Sequence, residues 1–351
     1  MKISICFILN DIATEKCGTS VYLMKKAFDR GHEVLAASVG DFSFVFDAPL
    51  SINCTYVAKT EKPETPQEYL KILQSKKAKN KKINSKKLDV LFLRNNPTEE
   101  ESGRQWAEQS GVAFGRIMQQ EEVLVLNDAY ALSKAFIDKL YFEELPAIIK
   151  PASIITRNKK EILEFWEKQR MKMVLKPLEG SGGKNVFLVD KHEKNINQIL
   201  DTIMEDGYVI AQEYMPDVKN GDLRVFLMNG KILEEDGKHA IIRRVSGKGE
   251  FRSNFKQGAT ADSDEMTEAI QRIVELSSPK LIKDGLFFVG LDIVKNKLIE
   301  INVLSPGGLD HFHEIGMPDF TTTVISSIEK KIEYKKLYAG QLANKTLATM
   351  S

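Results

Sequence analysis

The feature that most restricts the fold of this chain lies near its end. Residues 287–304 read FFVGLDIV, then Lys295-Asn296, then KLIEINVL. Two apolar runs of strand length joined by a turn are the layout of an antiparallel hairpin. Yet each run carries polar groups where a buried strand would carry hydrocarbon. Asp292 interrupts the first, and Glu300 and Asn302 interrupt the second at period two, so the latter two share one face. Pairing the runs gathers three oxygen-bearing side chains onto one patch, just before the turn Ser305-Pro306-Gly307-Gly308. Hard oxygen donors in that number suit Mg²⁺ bridging nucleotide phosphates, an ion that keeps some waters and takes one or two carboxylates. The competing reading is a hydrogen-bonded polar pair in a core. That reading leaves Asp292 without a cation, since no lysine or arginine lies within two residues on its strand face.

Composition narrows the class. A chain of 351 residues, 42% of them hydrophobic, has room for two or three domains with their own cores. Cys6, Cys17 and Cys54 are odd in number and confined to the first sixth of the chain, which suits packing thiols in a reducing compartment. The opening MKISICFILN is too short for a signal segment or a membrane span, so a cytoplasmic protein with no membrane partner is expected. A net charge of +1 gives no global field for nucleic acid. The run SKKAKNKKINSKK (75–87) holds seven lysines but no aromatic for base stacking, and reads as a solvated loop or a fraying helix end.

The pattern along the chain changes once. KISICFIL (2–9), a helix over 19–31 stopped by Gly31, and HEVLAASVGD (32–41) form a β-α-β opening. Strands at 88–97 and 123–128 with a helix at 102–111 continue it, predicting an open, doubly wound parallel sheet over 1–127 whose ligands sit at strand carboxyl ends. Asp11, Arg94 and Asn95 fall at such ends. After Asn127 come helical segments at 131–143 and 159–169, then runs at 171–190, 208–216, 223–233 and 239–245 that read as antiparallel strands. A helix over 264–283 precedes the hairpin described above. Domains are expected at 128–210 and 211–333, and the 334–351 tail has the composition of a poorly ordered end.

Within that second region, EGSGGKN (179–185) lets backbone N–H groups approach an anion. A strand follows it, so it is neither a P-loop nor a dinucleotide fingerprint. Lys176 enters this turn with apolar neighbours on both sides, and is either an edge lysine that snorkels or a cation paired with an anion. Asp222 and Arg224, Arg243 and Arg244, and Arg252 and Asn254 lie at strand ends nearby. Convergence of these cations with Lys176 and the three oxygen donors would make a site for polyanion, metal and carboxylate together, as phosphoryl transfer requires.

VLKP followed by EGSGG, then AQEYMP, GDLRVF, GEFRSNF, GLDIV and EIN followed by SPGG, in that order, resembles the ATP-grasp ligases, and within them the bacterial type of glutathione synthetase. The resemblance implies an α/β fold in which the N-terminal doubly wound domain is followed by central and C-terminal α+β domains that sandwich the nucleotide. It implies ATP and two Mg²⁺ ions, with Mn²⁺ as an alternative, and Asp292, Glu300 and Asn302 as metal ligands. Lys139 and Lys176 would hold phosphates under the loop carrying Gly180, Ser181, Gly182 and Gly183. Gln212, Glu213, Tyr214 and Met215 would read adenine, with Asp222 near the nucleotide and Arg224 near the substrate carboxylate. Arg244, Arg252 and Asn254 match positions that stabilise the acyl phosphate and the metal-bound phosphates. Ser305, Pro306, Gly307 and Gly308 would take a substrate carboxylate on free backbone N–H groups, and Thr19, Ser20 and Arg94 would help hold a γ-glutamyl end.

The activity so implied joins γ-glutamylcysteine to glycine through an acyl phosphate, in a homo-oligomer. Ligation of another dipeptide or amino acid, and a non-catalytic nucleotide-binding protein, are the alternatives. The presence of Lys176, Arg244, Asp292, Glu300 and Asn302 argues against the last. His311 and His313, in GGLDHFHEIG, read as surface or supporting residues.

Overall fold

The computed structural model describes the chain except residues 98, 99, 101, 102, 135–137, 179–184, 206, 246–259 and 264, and the side chains of 138, 260, 261 and 263. Three sheets organise it. The first contains β1 (Ser4–Leu9), β2 (Glu33–Ser38), β3 (Phe42–Ser43), β4 (Ser51–Tyr56), β5 (Lys79–Asn84), β6 (Val90–Leu93) and β7 (Leu124–Leu126). Its centre is parallel, β2-β1-β6-β7, with α1 (Thr19–Asp29), α2 (Pro66–Leu73) and α3 (Ser110–Gln120) connecting strands. Strand β1 is buried on both faces, as parallel strands between helical layers must be. Ile5, Phe7 and Leu9 pack with Val21 and Met24 of α1, while Cys6 and Ile8 join the cluster that holds Val112 and Met118 of α3.

Two expectations for this region need correction. The lysine-rich segment is a turn past the end of α2 at 75–78, but its middle is β5, which pairs antiparallel with β4 and leaves its other side open. Lysine suits such an edge, since strong hydration and charge repulsion discourage another chain from adding a strand. The helix expected over 102–111 instead begins at Ser110. Gly111 lies against the Asn95 side chain, and Gly115 against Leu93 and Ala129.

The second sheet follows α4 (Ala129–Lys134) and α5 (Asp138–Glu143). It contains β8 (Ser153–Thr156), β9 (Met173–Pro177), β10 (Phe187–Val189) and β11 (Val209–Glu213) in the order β10-β9-β11-β8, all antiparallel. Helices α6 (Lys159–Lys168) and α7 (Ile196–Glu205) cover one face, where Ile162, Trp166, Leu200 and Ile203 meet Met173, Leu175, Val209 and Ala211 in a separate core. Lys176, Ile210 and Gln212 alternate with those residues, so the period-two rule places them on the opposite face.

The third sheet holds β12 (Asp222–Met228), β13 (Lys231–Ile232), β16 (Ile241–Val245), β17 (Thr260–Ser263), β18 (Phe288–Val294) and β19 (Lys297–Asn302). Its main path is β17-β16-β12-β18-β19, and β14 (Glu234–Glu235) and β15 (Lys238–His239) form a small separate ribbon. Helix α8 (Glu268–Lys283), whose first turn is capped by the Thr267 hydroxyl, packs Ile270, Ile273 and Val274 into the cluster that holds Leu223, Val225, Leu291 and Ile293. After β19 come α9 (Leu309–Glu314), α10 (Thr321–Leu337) and α11 (Asn344–Thr349).

The first and third sheets share their cores. Asn127, just past β7, receives the Phe288 N–H on Oδ1 at 2.8 Å and donates from Nδ2 to the carbonyls of Phe288 (2.9 Å) and Val303 (2.6 Å). One buried amide thereby substitutes for a strand neighbour at both β18 and the end of β19. The 334–351 segment, expected to be poorly ordered, is instead helical and docked. Asn344 accepts the Val125 N–H at 2.8 Å and donates to the Val125 carbonyl at 2.9 Å, so its amide pairs with the edge of β7.

Lys331 of α10 is fully buried and donates to Asn229 Oδ1 at 2.8 Å and to the Met350 carbonyl, with its ammonium 5.0 Å from the Phe287 ring centre. Burial, reinforced by Lys330, lowers its pKa to about 7. Since the unfolded chain keeps this proton up to about 10.5, it binds more protons than the native state across that window, and stability must rise with pH there. Urea unfolding at pH 7 and pH 9 should show that rise in the native chain, and Lys331→Met should flatten it.

Candidate active site

The open face of the second sheet and the edge of the third bound a cleft. Lys176, Ile210 and Gln212 line one wall, Ile299 and Glu300 the other, and Lys139, Phe142 and Glu143 of α5 close one side. Period-two spacing in β9 and β11 brings Lys176 and Gln212 together, and α5 adds Lys139, so three of the residues matched to nucleotide binding meet with Glu300 opposite. Lys139 Nζ donates to the Pro177 carbonyl at 2.5 Å. Burial lowers the Lys176 pKa, against the pull of Glu300, Glu143 and Asp292. Its charge is thus one that an anion entering the cleft would stabilise. Glu143, which ion-pairs with Lys150 at 2.6 Å, was missed in the sequence because an acidic residue on a short helix carries no periodic signal.

Beyond Gln212 the chain leaves β11 through Glu213, Tyr214 and Met215 and enters a 3-10 turn at Pro216. Glu213 is tied to Ala152 by its own N–H (2.8 Å) and by Oε2 (3.1 Å). Tyr214 is buried under Lys172, whose ammonium sits 4.2 Å from the ring centre.

The third sheet supplies the charges. Its registers pair Asp222 with Arg244, Arg224 with Asp292, and Asp292 with Glu300, while Asn302 lies opposite Gly290. Directly paired residues project to the same side, so all six polar groups share one face. Asp292 is 2% exposed. Its Oδ1 accepts from Arg224 Nε, and its Oδ2 accepts from Arg224 Nη2 (2.9 Å) and Arg244 Nη2 (2.9 Å). Arg244 in turn makes a two-point contact with Asp222, through Nε to Oδ1 at 2.9 Å and Nη2 to Oδ2. The expectation that Asp292 lacks a cation therefore fails. Its cations come from a neighbouring strand and the next one over, which scanning its own strand could not reveal. Burial alone would raise the Asp292 carboxyl, but Arg224 and Arg244 hold it well below the usual carboxylate range. The same carboxylates push Arg244 upward against its own burial.

Asp292, Glu300 and Asn302 fit a divalent ion by their chemistry, being ionised or amide oxygen donors on one face. No hydrogen bond or ion pair reaches the Glu300 carboxylate among the described residues, and the Asn302 amide lies 3.4 Å from Asp292 Oδ2. Among those residues no three His, Cys, Asp or Glu groups converge as a metal cage. Two carboxylates and an amide suit an ion whose remaining ligands are phosphate and water.

The turn at 305–308 is more tightly engaged than expected. Arg94 Nη2 donates to the Pro306 carbonyl (2.9 Å) and Arg94 Nε to Ser20 Oγ (3.1 Å), while Arg224 Nη1 donates to the Gly307 carbonyl (2.9 Å). Gly308 N–H, expected to be free for a substrate, donates to Thr19 Oγ1 at 2.9 Å, as does Leu309 N–H at 3.0 Å. Thr19 and Arg94 are thereby structural ties between the first sheet and this turn. Burial brings the Arg94 pKa down to about 10. Ser305 is partly exposed. His311 Nδ1 lies 2.8 Å from Glu314 Oε2, and His313 contacts the Tyr22 ring. Gly180, Ser181, Gly182, Gly183, Arg252 and Asn254 lie outside the described residues. Cys6, Cys17 and Cys54 are free thiols, the first and last buried.

Two sheets clasping a cleft with lysines on one wall and acidic oxygens on the other define an ATP-grasp protein. Solved structures agree on the fold. The ATP-grasp ligase PsnB, complexed with a phosphomimetic variant of its minimal precursor, Mg and ADP, superposes with a TM-score of 0.60 at 13% identity, covering 94% of this chain and 99% of that one. The D-cycloserine synthetase DcsG does so with 0.53 at 12% identity, covering 86% and 92%. Residues 3–132 match the family model for the N-terminal domain of prokaryotic glutathione synthetase, and residues 138–316 match its ATP-grasp domain. The chain belongs to the prokaryotic glutathione synthetase family.

Relatives named glutathione synthetase include that of Vibrio parahaemolyticus, 30% identical over 61% of this chain and 66% of its own length. That of Escherichia coli K12 is 34% identical over 53% and 57%, and that of Buchnera aphidicola 30% over 72% and 76%. The chain thus spans somewhat under two thirds of the first two relatives.

Gly221, immediately before Asp222, holds the strand entry in place. Its φ is +85°, and a Cβ there would lie 2.2 Å from the Arg244 carbonyl oxygen. Gly221→Ala should cost about 2–4 kcal/mol in chemical denaturation, because a left-handed backbone and a backbone clash act together.

Proposed function

We propose that this chain is an ATP- and divalent-metal-dependent carboxylate–amine ligase that joins γ-glutamylcysteine to glycine, as glutathione synthetases do. The observation that carries the reading is the cleft itself: Lys139, Lys176 and Gln212 face Glu300, with Asp292 and the two arginines on the adjoining face. Lys139 and Lys176 bind the nucleotide phosphates, while Gln212 and the backbone from Glu213 to Met215 take the base. Asp292, Glu300 and Asn302 would hold Mg²⁺ or Mn²⁺, two ions in the full complex. The ion supplies neutralisation of phosphate charge. The loop of Gly180 to Gly183, with Arg252 and Asn254, belongs to the phosphate side of the same reading. Ser305 and Gly307 remain candidates for the peptide carboxylate, with Arg224 as its cation.

In this mechanism the peptide's C-terminal carboxylate attacks the γ-phosphorus, ADP leaves, and the glycine amine then displaces phosphate from the acyl phosphate. No protein nucleophile is required, so the contribution of Lys176, Arg224 and Arg244 is positioning and fixed positive charge. A cytoplasmic homo-oligomer completes the proposal. Among the described residues no helix is long and apolar enough to cross a membrane.

Ligation of a different peptide or amino acid is the second reading. It is favoured by the Gly308 N–H already being taken and by Asp310 standing beside Thr19, at 2.9 Å from its hydroxyl. Phosphate release from ATP and Mg²⁺ should require both γ-glutamylcysteine and glycine. Lys176→Ala should lower kcat by about 100-fold or more, as loss of a fixed cation at a transferring phosphoryl group does. Nucleotide binding without release on this pair would instead direct the search to other amines and peptides.

A further inference from the structure

Of the two carboxylates assigned to the metal, Asp292 is already met by two cations. Asp292 takes four hydrogen bonds, from Arg224 Nε, Arg224 Nη2, Arg244 Nη2 and, at 3.4 Å, Asn302 Nδ2. One of these falls on Oδ1 and three on Oδ2, and Arg224 alone spans both oxygens, so a metal ion approaching Asp292 meets that guanidinium at either oxygen. Two guanidinium charges at hydrogen-bond distance would also repel a divalent ion strongly in so buried a place. A metal at Asp292 therefore competes with the guanidinium that bridges its two oxygens.

The two arginines differ in what else holds them. Arg244 keeps a two-point contact with Asp222, itself 4% exposed, whatever happens at Asp292. Among the described residues Arg224 has Asp292 as its single carboxylate partner, and its other hydrogen bond runs from Nη1 to the Gly307 carbonyl at 2.9 Å. Its side chain lies over Gly290, where an added Cβ would come within 3.1 Å of Arg224 Cδ, and beside Pro306, which the same Cβ would approach at 3.2 Å. Released from Asp292, Arg224 remains tethered to the 305–308 turn.

We propose that Arg224 is a placeholder cation at Asp292 that a divalent metal displaces, and that Asp222 is the positioning residue that keeps Arg244 fixed while this happens. The proposal rests on the metal site assigned above. Metal binding at Asp292, Glu300 and Asn302 frees the Arg224 guanidinium at the turn where a substrate carboxylate would dock. Metal and carboxylate binding are then coupled with positive sign, and by linkage each tightens the other. Without metal, the two aspartates of the face are matched by the two arginines, and Glu300 is left as its uncompensated carboxylate among the described residues.

The test is Mn²⁺ binding to the full chain without nucleotide, peptide or amine, read from the electron paramagnetic resonance signal of free Mn²⁺. A ligase assay that fails on a given substrate pair therefore does not touch it. Arg224→Met keeps the side chain's length and removes the competitor, so the Mn²⁺ Kd should fall by about fivefold or more, since a site occupied by a competitor shows only its free fraction. Arg243→Met, which removes a charge from the neighbouring position of β16 on the opposite face, should change Kd less than about twofold, because nothing competing is lost. Equal tightening in both variants, unchanged or weaker binding in Arg224→Met, or no Mn²⁺ binding in any of the three chains overturns the proposal. Should Arg224→Met fail to fold, the wild-type chain labelled with ¹⁵N-arginine gives a second reading. Saturating Mg²⁺ should move one of the two most deshielded Nε–H resonances and leave the other, and two unmoved resonances overturn it.

Discussion

Everything at the centre of this molecule depends on two aspartates and two arginines that the β-sheet register forces together out of contact with water. Moving any one of these ions alone into a protein interior would cost several kcal/mol, and removing one partner from a buried pair costs about 3–5 kcal/mol. The arrangement is tolerable because each charge is met by a partner on a strand that lies beside it. Arg224 faces Asp292 directly and Asp222 faces Arg244 directly, so the network is enforced by backbone hydrogen bonding. Slipping one strand by a residue would turn the charges into the apolar face covered by α8. The ions thus constrain the register as strongly as the register constrains the ions.

The rest of the architecture divides into what is fixed to that sheet and what is not. The first sheet is fixed to it, through shared apolar clusters, the three bonds of Asn127 and the ties from Thr19 and Arg94 to the 305–308 turn. The second sheet has a core of its own beneath α6 and α7. The apolar residues of this layer's core are therefore buried without help from the third sheet. Lys176 and Gln212 ride on that layer, while the oxygen donors belong to the fixed part.

How much of this was legible in the sequence follows from the range of each signal. Period-two alternation acts within a strand, so the shared face of Glu300 and Asn302, and the hairpin that sets Asp292 against Glu300, were readable directly. The cations of Asp292 were not, because strand order is set by packing between elements up to 68 residues apart. The lysine run misled because charge density usually marks solvent, and an edge strand is the one regular element that also seeks it. Thr19 and Arg94 were expected to hold a γ-glutamyl end, whereas in the structure their side chains hold the 305–308 turn.

The pairing of Asn344 with Val125 carries a further consequence for how the chain is made. The edge of β7 is completed by an amide that emerges from the ribosome 219 residues later. At ordinary synthesis rates that interval is roughly 10–40 s, far longer than a sheet of this kind needs to collapse. For that time the N-terminal sheet has one margin guarded by the lysines of β5 and the other bare. A nascent chain arrested in this window would present a single sticky side, so synthesis of the segment around Asn344 doubles as the step that closes it.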